Sequence, residues 1–239
     1  MFKRYKIADI IADIDCSSKI FENQSKAYEY SDADISCDMQ IKVPEDFLQR
    51  QMQLNPHLTA DELEYMWSGF DFYRKALRFN AFMMHSSAVM YEGYAYLFSA
   101  NCGTGKSTHA SFWQKNFGED KAVIINDDKP LIVQKNGVFH ACGTPWSGKS
   151  DKNVNVCVPI AGIAIIERAA ENSIEPISPI EAFKELYNQT HRPDNVKAVD
   201  LLIGMFNEFL TSTRLFKLHC NMSCEAAQTA YNAMRPQNL

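Results

Sequence analysis

The chain has 239 residues, of which 46% are hydrophobic and 22% charged, enough for one large domain or a domain with a small lobe. Its net charge is −5 and it carries no basic block, which excludes a generic nucleic-acid or anionic-membrane surface. No apolar run approaches the length of a membrane span, and the opening MFKRYKIADIIADIDC is too broken by Asp9 and Asp13 to read as a signal peptide. The seven cysteines form no CxxC pair and have no zinc-spaced histidines, so all are expected to be reduced thiols of a cytoplasmic protein.

Residues 1–80 read as an accessory lobe. The segment YKIADIIADID fits a strand or a helix by pattern alone. In VPEDFLQRQMQ, Pro44 sits at a first helical turn with acids behind it. Thr59 and Glu62 make a capping box, after which Leu63, Met66, Trp67, Phe70 and Leu77 recur at helical spacing. This stripe is expected to pack on the core rather than to form a ligand platform.

Signals sharpen beyond residue 85. SSAVMY and YAYLFS are apolar runs around the turn Glu92-Gly93, which predicts a hairpin. ANCGTGKST follows, then a helix over about 106–116. KAVIIN is a short buried strand ending at Asp127-Asp128, and PLIVQ and VFHA flank a second hairpin turn at Asn136-Gly137. GTPWSGKSDKN reads as a polar loop and IAGIAIIE as a buried strand. Ser178, Pro179 and Glu181 start a helix, a second fills about 195–210, RLFKLHC is strand-like, and Ser223 caps a final helix. The irregular mixture predicts an α/β class with a mixed sheet, not a strict βαβ repeat.

The segment 101–108 carries the chemistry. Glycines let successive backbone N–H groups turn toward an anion, and the helix that follows adds its positive end. Gly103 and Gly105 supply that freedom, Lys106 would reach the β- and γ-phosphates, and Ser107 would offer its hydroxyl to Mg²⁺. Ala100 stands where the first glycine of such a loop is usual, which alanine tolerates if φ stays negative. Asn101, Cys102, Thr104 and Thr108 complete the candidate phosphate-binding set. About twenty residues beyond the lysine, Asp127-Asp128 suits a metal ligand and a proton acceptor, or else a solvated turn. In GTPWSGKSDKN, Ser147 and Lys149 would suit a phosphate lid, against a plain surface loop with Trp146 buried. Arg192 in QTHRPDN would supply a charged fork or merely end a helix before Pro193.

The stretch MHSSAVMYEGYAYLFSANCGTGKST, with the later NDD, resembles the catalytic domain of HPr kinase/phosphorylase and, more distantly, phosphoenolpyruvate carboxykinase. The segments at 96–109, 126–130, 143–149, 189–193 and 220–222 resemble a clostridial-type group of HPr-kinase-like proteins over nearly the whole chain. The resemblance implies a P-loop nucleotide-binding fold with a mixed sheet over residues 81–239, plus a small N-terminal α+β lobe. It implies ATP and Mg²⁺ as cofactors, with Asp127 as general base and Ser107 and Asp128 on the metal. His85 would orient the acidic pair, although a histidine before a strand also fits a core position. Lys106, Lys149 and Arg192 would complete the catalytic set. HPr kinase's substrate-loop signature is not recognisable here. The expected function is therefore a kinase acting on a hydroxyl of a protein, peptide or small metabolite. A non-catalytic ATP-binding regulator is the alternative, and a carboxykinase a weaker one. No nucleic-acid or membrane partner is expected, and a homo-oligomer is left open.

Overall fold

The structure is a computed structural model that describes residues 1–32 and 34–236. The ambiguous first segment is a hairpin: β1 (Lys3–Ile7) and β2 (Ile10–Asp15) pair antiparallel, and Ala8 and Asp9 turn the chain at φ of 53° and 69°. After α1 (Lys19–Gln24), β3 (Met39–Lys42) joins β2 in parallel and completes a three-stranded sheet. The helices α2 (Glu45–Leu54) and α3 (Ala60–Ala76) follow. Pro44 is the residue before α2 rather than inside it, and the Thr59–Glu62 capping box opens α3.

The remaining strands form one nine-stranded sheet. They are β4 (Ala81–Met83), β5 (Ser86–Tyr91), β6 (Tyr94–Ser99), β7 (Val123–Asn126), β8 (Leu131–Lys135) and β9 (Val138–Cys142). The long β10 (Cys157–Arg168), then β11 (Ser173–Pro176) and β12 (Leu215–Cys220), complete it. Helix α4 (Lys106–Phe117) leaves the glycine loop, α5 (Pro179–Tyr187) and α6 (Val196–Ser212) precede β12, and α7 (Glu225–Met234) ends the described chain. The protein is therefore mixed α/β. Both predicted hairpins form, with Glu92-Gly93 and Asn136-Gly137 all at positive φ as a two-residue turn demands. The final helix differs from expectation: Cys224 occupies its cap, while the Ser223 hydroxyl accepts a hydrogen bond from Asn172.

The first half of β10 pairs antiparallel with β9 and its second half runs parallel to both β6 and β12. Strand β5 lies antiparallel between β6 and β7, so β6 and β7 run the same way. The loop after β6, the acids after β7 and the histidine before β5 therefore meet at one end of the sheet. Packing ties this end to the small sheet. Trp146 is buried at 1% exposure among Phe21, Phe72 and Tyr73, and its indole N–H donates to Ser68. One hydrophobic cluster thus runs from Tyr5 and Ile41 through Phe72 to Leu131 and Val133.

Two expectations are corrected here. Cys142 and Cys157 oppose each other across β9 and β10, Cα atoms 4.0 Å apart, and are joined as a disulfide; five cysteines are free. The register that brings them together has no local sequence signal. The segment 143–147 is also not a polar surface loop but is wholly buried.

Candidate functional site

The glycine loop begins where β6 ends. Gly103 and Gly105 adopt φ of 76° and 124°, conformations that side chains with a Cβ resist. Ala100 keeps out of the positive-φ region and is buried, so its methyl costs the loop nothing. Inside the loop the Thr104 N–H donates to the Asn101 carbonyl at 3.2 Å, and the His109 N–H closes the first turn of α4 on Gly105. Among the described residues the amides of Gly103, Gly105, Lys106 and Ser107 have no backbone acceptor. Such amides at a helix start are a ready anion site. Asn101, Cys102 and Ser107 are exposed, and Thr104 and Thr108 half-buried. Lys106 is buried, with its ammonium folded onto the Ala100 carbonyl at 2.9 Å. Desolvation lowers its pKa, and the nearby acids only partly oppose this.

The two aspartates have different surroundings. Asp127 is 6% exposed, and its Oδ1 accepts a 2.6 Å hydrogen bond from the Ser87 hydroxyl. Asp128 is held on both sides: His85 Nε2 lies 3.1 Å from its Oδ1, and the Lys129 ammonium bonds its Oδ2. Burial pushes the Asp128 carboxyl up, yet His85 and Lys129 outweigh it and hold the pKa at about 2. His85 is oriented from behind, because its Nδ1 meets the Gln189 side-chain oxygen at 2.9 Å. The turn at Asn126 is rigid, since its side-chain oxygen accepts from the amides of Asp128 and Lys129.

The GTPWSGKSDKN segment packs directly under this pair. A Cβ on Gly148 would sit 3.0 Å from the Asp128 side chain, and the residue has φ of 70°. Ser147 is buried and its hydroxyl bonds Gln24 and Asn153. Lys149, by contrast, is exposed. Arg192 is exposed in a separate cleft with α2 and α3, and no hydrogen bond or ion pair joins it to the glycine loop among the described residues.

Sequence reasoning missed Ser87, Gln189 and Arg168. The register Ile165↔Ser99 sets the end of β10 beside the loop, and Arg168 there donates to the carbonyls of Gly103 and Thr104. Ser87 lies beside Asp127 only because β5 pairs with β7. Next to the loop is a cavity of about 210 Å³ lined by Thr108, His109, Ile166 and Met222 among others. Among the described residues His109 Nδ1 is buried there without a partner, while Trp113 donates to its Nε2. Among the described residues no three His, Cys, Asp or Glu side chains cluster to hold a metal. Among the described residues no helix is long and apolar enough to cross a membrane.

This arrangement defines a mixed α/β protein with a glycine loop and an acidic pair at the same end of its sheet. The chain belongs to the family described as SynChlorMet cassette protein ScmC, whose model matches residues 54–223. No curated protein matches it in sequence. Among solved structures it is similar to the HPr(Ser) kinase/phosphatase from Coxiella burnetii, at 10% identity and a TM-score of 0.37, over 63% of this chain and 95% of that one.

Proposed function

We propose that the chain is an ATP- and Mg²⁺-dependent kinase, of the HPr kinase type in fold, that transfers the γ-phosphoryl group to a hydroxyl. One observation carries this reading: the loop with unpaired amides and Lys106 stands at the same end of the sheet as Asp127 and Asp128. Phosphoryl transfer needs positioning and charge neutralisation more than covalent chemistry from the protein. The loop amides hold the phosphates, and Lys106 leaves the Ala100 carbonyl to reach them. The acceptor oxygen attacks the γ-phosphorus, the bond to the bridging oxygen breaks, and ADP departs. Asp127 takes the acceptor proton, and Ser87 keeps its carboxylate aimed.

Mg²⁺ fits the donor set. It is commonly held by one or two protein oxygens plus phosphates and water, so a closed three-residue cluster is not required. Ser107 and the ionised Asp128 would hold it, and bound there it neutralises phosphate charge. The cavity beside the loop suits the nucleoside. Lys149 would close over the phosphates from its loop. The first 80 residues form a lobe that covers the acceptor side.

Radiolabelled ATP incubated with the protein and a host lysate tests transfer, with label expected in a discrete acceptor. Lys106→Ala should weaken ATP binding by about tenfold or more in calorimetry, because it removes the main point charge on the phosphates. Tight Mg-ATP binding with no label beyond slow hydrolysis would replace the kinase with a nucleotide-sensing module.

A further inference from the structure

The groove that holds Arg192 combines rings and charges. It encloses about 560 Å³ between α2, α3, the end of β3 and residues 191–194. Four rings run along it in edge and tilted contacts: Phe47 on Trp67 at 4.8 Å, Trp67 on Phe70 at 5.3 Å, and Phe70 on His191 at 5.1 Å. All four are only half-buried, so Trp67 and Phe70 of the expected stripe line the groove, while Leu63 and Leu77 pack in the core as expected. Helix α2 contributes no buried residue at all, which leaves its inner face without a full partner. Burial, then the neighbouring Arg74, lowers the pKa of His191, so it serves as a neutral ring.

Charge completes the picture. Five cations line the groove against three acids. Arg50 is engaged by Asp46, and Arg74 and Lys75 share Asp71. Arg192 has no ion-pair partner among the described residues. Half-exposed aromatics beside arginines, with a polar rim, are what energetic centres of protein interfaces contain.

Exposed rim residues such as Lys42, Arg50 and Arg192 make this an open channel, which suits a polypeptide better than an enclosed small molecule. The interspersed acids disfavour a polyphosphate chain. The groove also leads inward. Phe70 lines a second cavity of about 120 Å³ whose wall includes Lys129, the residue bonded to Asp128.

We propose that this groove docks a polypeptide segment bearing an aromatic side chain next to carboxylates, the ring lying on Trp67 and Phe70 and a carboxylate pairing with Arg192. Resting on the kinase reading, the docked segment is the acceptor, with its hydroxyl carried past Phe70 toward Asp127.

The test is fluorescence anisotropy on the full chain without nucleotide, using short fluorescein-labelled peptides. One carries a Trp flanked by Glu and Asp, the second has Lys for the acids, and the third has Ala for Trp. The first should bind at least about tenfold more tightly than either control. Arg192→Glu should cost a similar factor and Arg192→Lys much less, with unchanged thermal melts because the residue is exposed. Trp67→Leu should weaken the acidic Trp peptide and leave the Ala peptide unaffected. Equal binding of all three peptides, or no response to Arg192→Glu in a folded variant, overturns the proposal. Displacement of the peptide by indole-3-acetate alone at comparable affinity would make the groove a small-molecule site. A dimer of the free protein that Trp67→Leu dissociates would assign it to a second copy. Mg-ATP calorimetry on the same samples keeps the two readings apart: lost nucleotide binding with retained peptide preference sinks the kinase, and the reverse sinks the docking groove.

Discussion

Two neighbouring carboxylates have different surroundings. Asp128 lies between His85 and Lys129, which keep it ionised and suit it to a cation, whereas Asp127 meets the Ser87 hydroxyl. Asp127→Asn keeps the shape but removes the basic lone pair. Turnover should fall by roughly 10²–10⁴-fold, the usual worth of a general base, while Mg-ATP affinity changes little. Single-turnover transfer and calorimetry on the same preparation check this, and joint loss of both would exchange the two roles. His109 supplies a second residue-scale test. Burial lowers its pKa from 6.5 to about 3. Between those values the unfolded chain binds a proton that the folded chain refuses, so stability falls as pH drops through that window and is untouched above it. The slope for one such proton is about 1.4 kcal/mol per pH unit. Urea midpoints from neutral to mildly acidic pH should therefore decline more steeply for wild type than for His109→Gln. Parallel lines would mean that the ring is not buried neutral.

At the scale of elements, the segment between β9 and β10 positions the acids from below. Trp146 anchors it among three rings, Ser147 fastens it to Gln24, and Gly148 then lies against Asp128 at positive φ. A methyl at 148 meets strain from both the backbone and the carboxylate. Gly148→Ala should lower stability by about 1 kcal/mol or more and reduce transfer more than nucleotide binding, because the loop amides are elsewhere. Thermal melts and paired kinetics read the two effects. Equal activity would show that Asp128 shifts without consequence. The same logic makes Gly143 indispensable, since a Cβ there would lie 1.8 Å from the Val154 carbonyl oxygen.

For the whole molecule, the first 80 residues and the large sheet share one apolar cluster. Phe72 and Tyr73 of α3 cover Met83, Leu131 and Trp146, and the Tyr73 hydroxyl bonds both the Lys129 carbonyl and Thr144. Removing that N-terminal segment would uncover those side chains at a cost of several kcal/mol, a large share of ordinary domain stability. A chain beginning at Ala81 should therefore bind a hydrophobic dye and lose cooperative unfolding. A sharp melting transition near that of the full chain would show instead that the sheet stands alone. The first 80 residues thus pack against Trp146, next to the acidic pair, as well as bordering the groove.

What the sequence determined was local. Glycines at 103 and 105 must turn the chain, Thr59–Glu62 and Ser178–Glu181 must start helices, and Glu92-Gly93 and Asn136-Gly137 must close hairpins, because each depends on residues within one turn of chain. The glycine loop and the Asp127-Asp128 pair were legible for the same reason. What only the tertiary structure decided was register and packing. The pairing of β5 with both β6 and β7 brings Ser87 to Asp127 and His85 to Asp128, and the parallel run of β10 brings Arg168 to the loop. It joined Cys142 to Cys157, which lie on different strands, and it turned Trp67 and Phe70 from an expected core face into the wall of a groove. No short-range pattern encodes such contacts, because a helix stripe looks the same whether a core or an open cleft lies opposite, and strand register is set by everything that packs on the sheet.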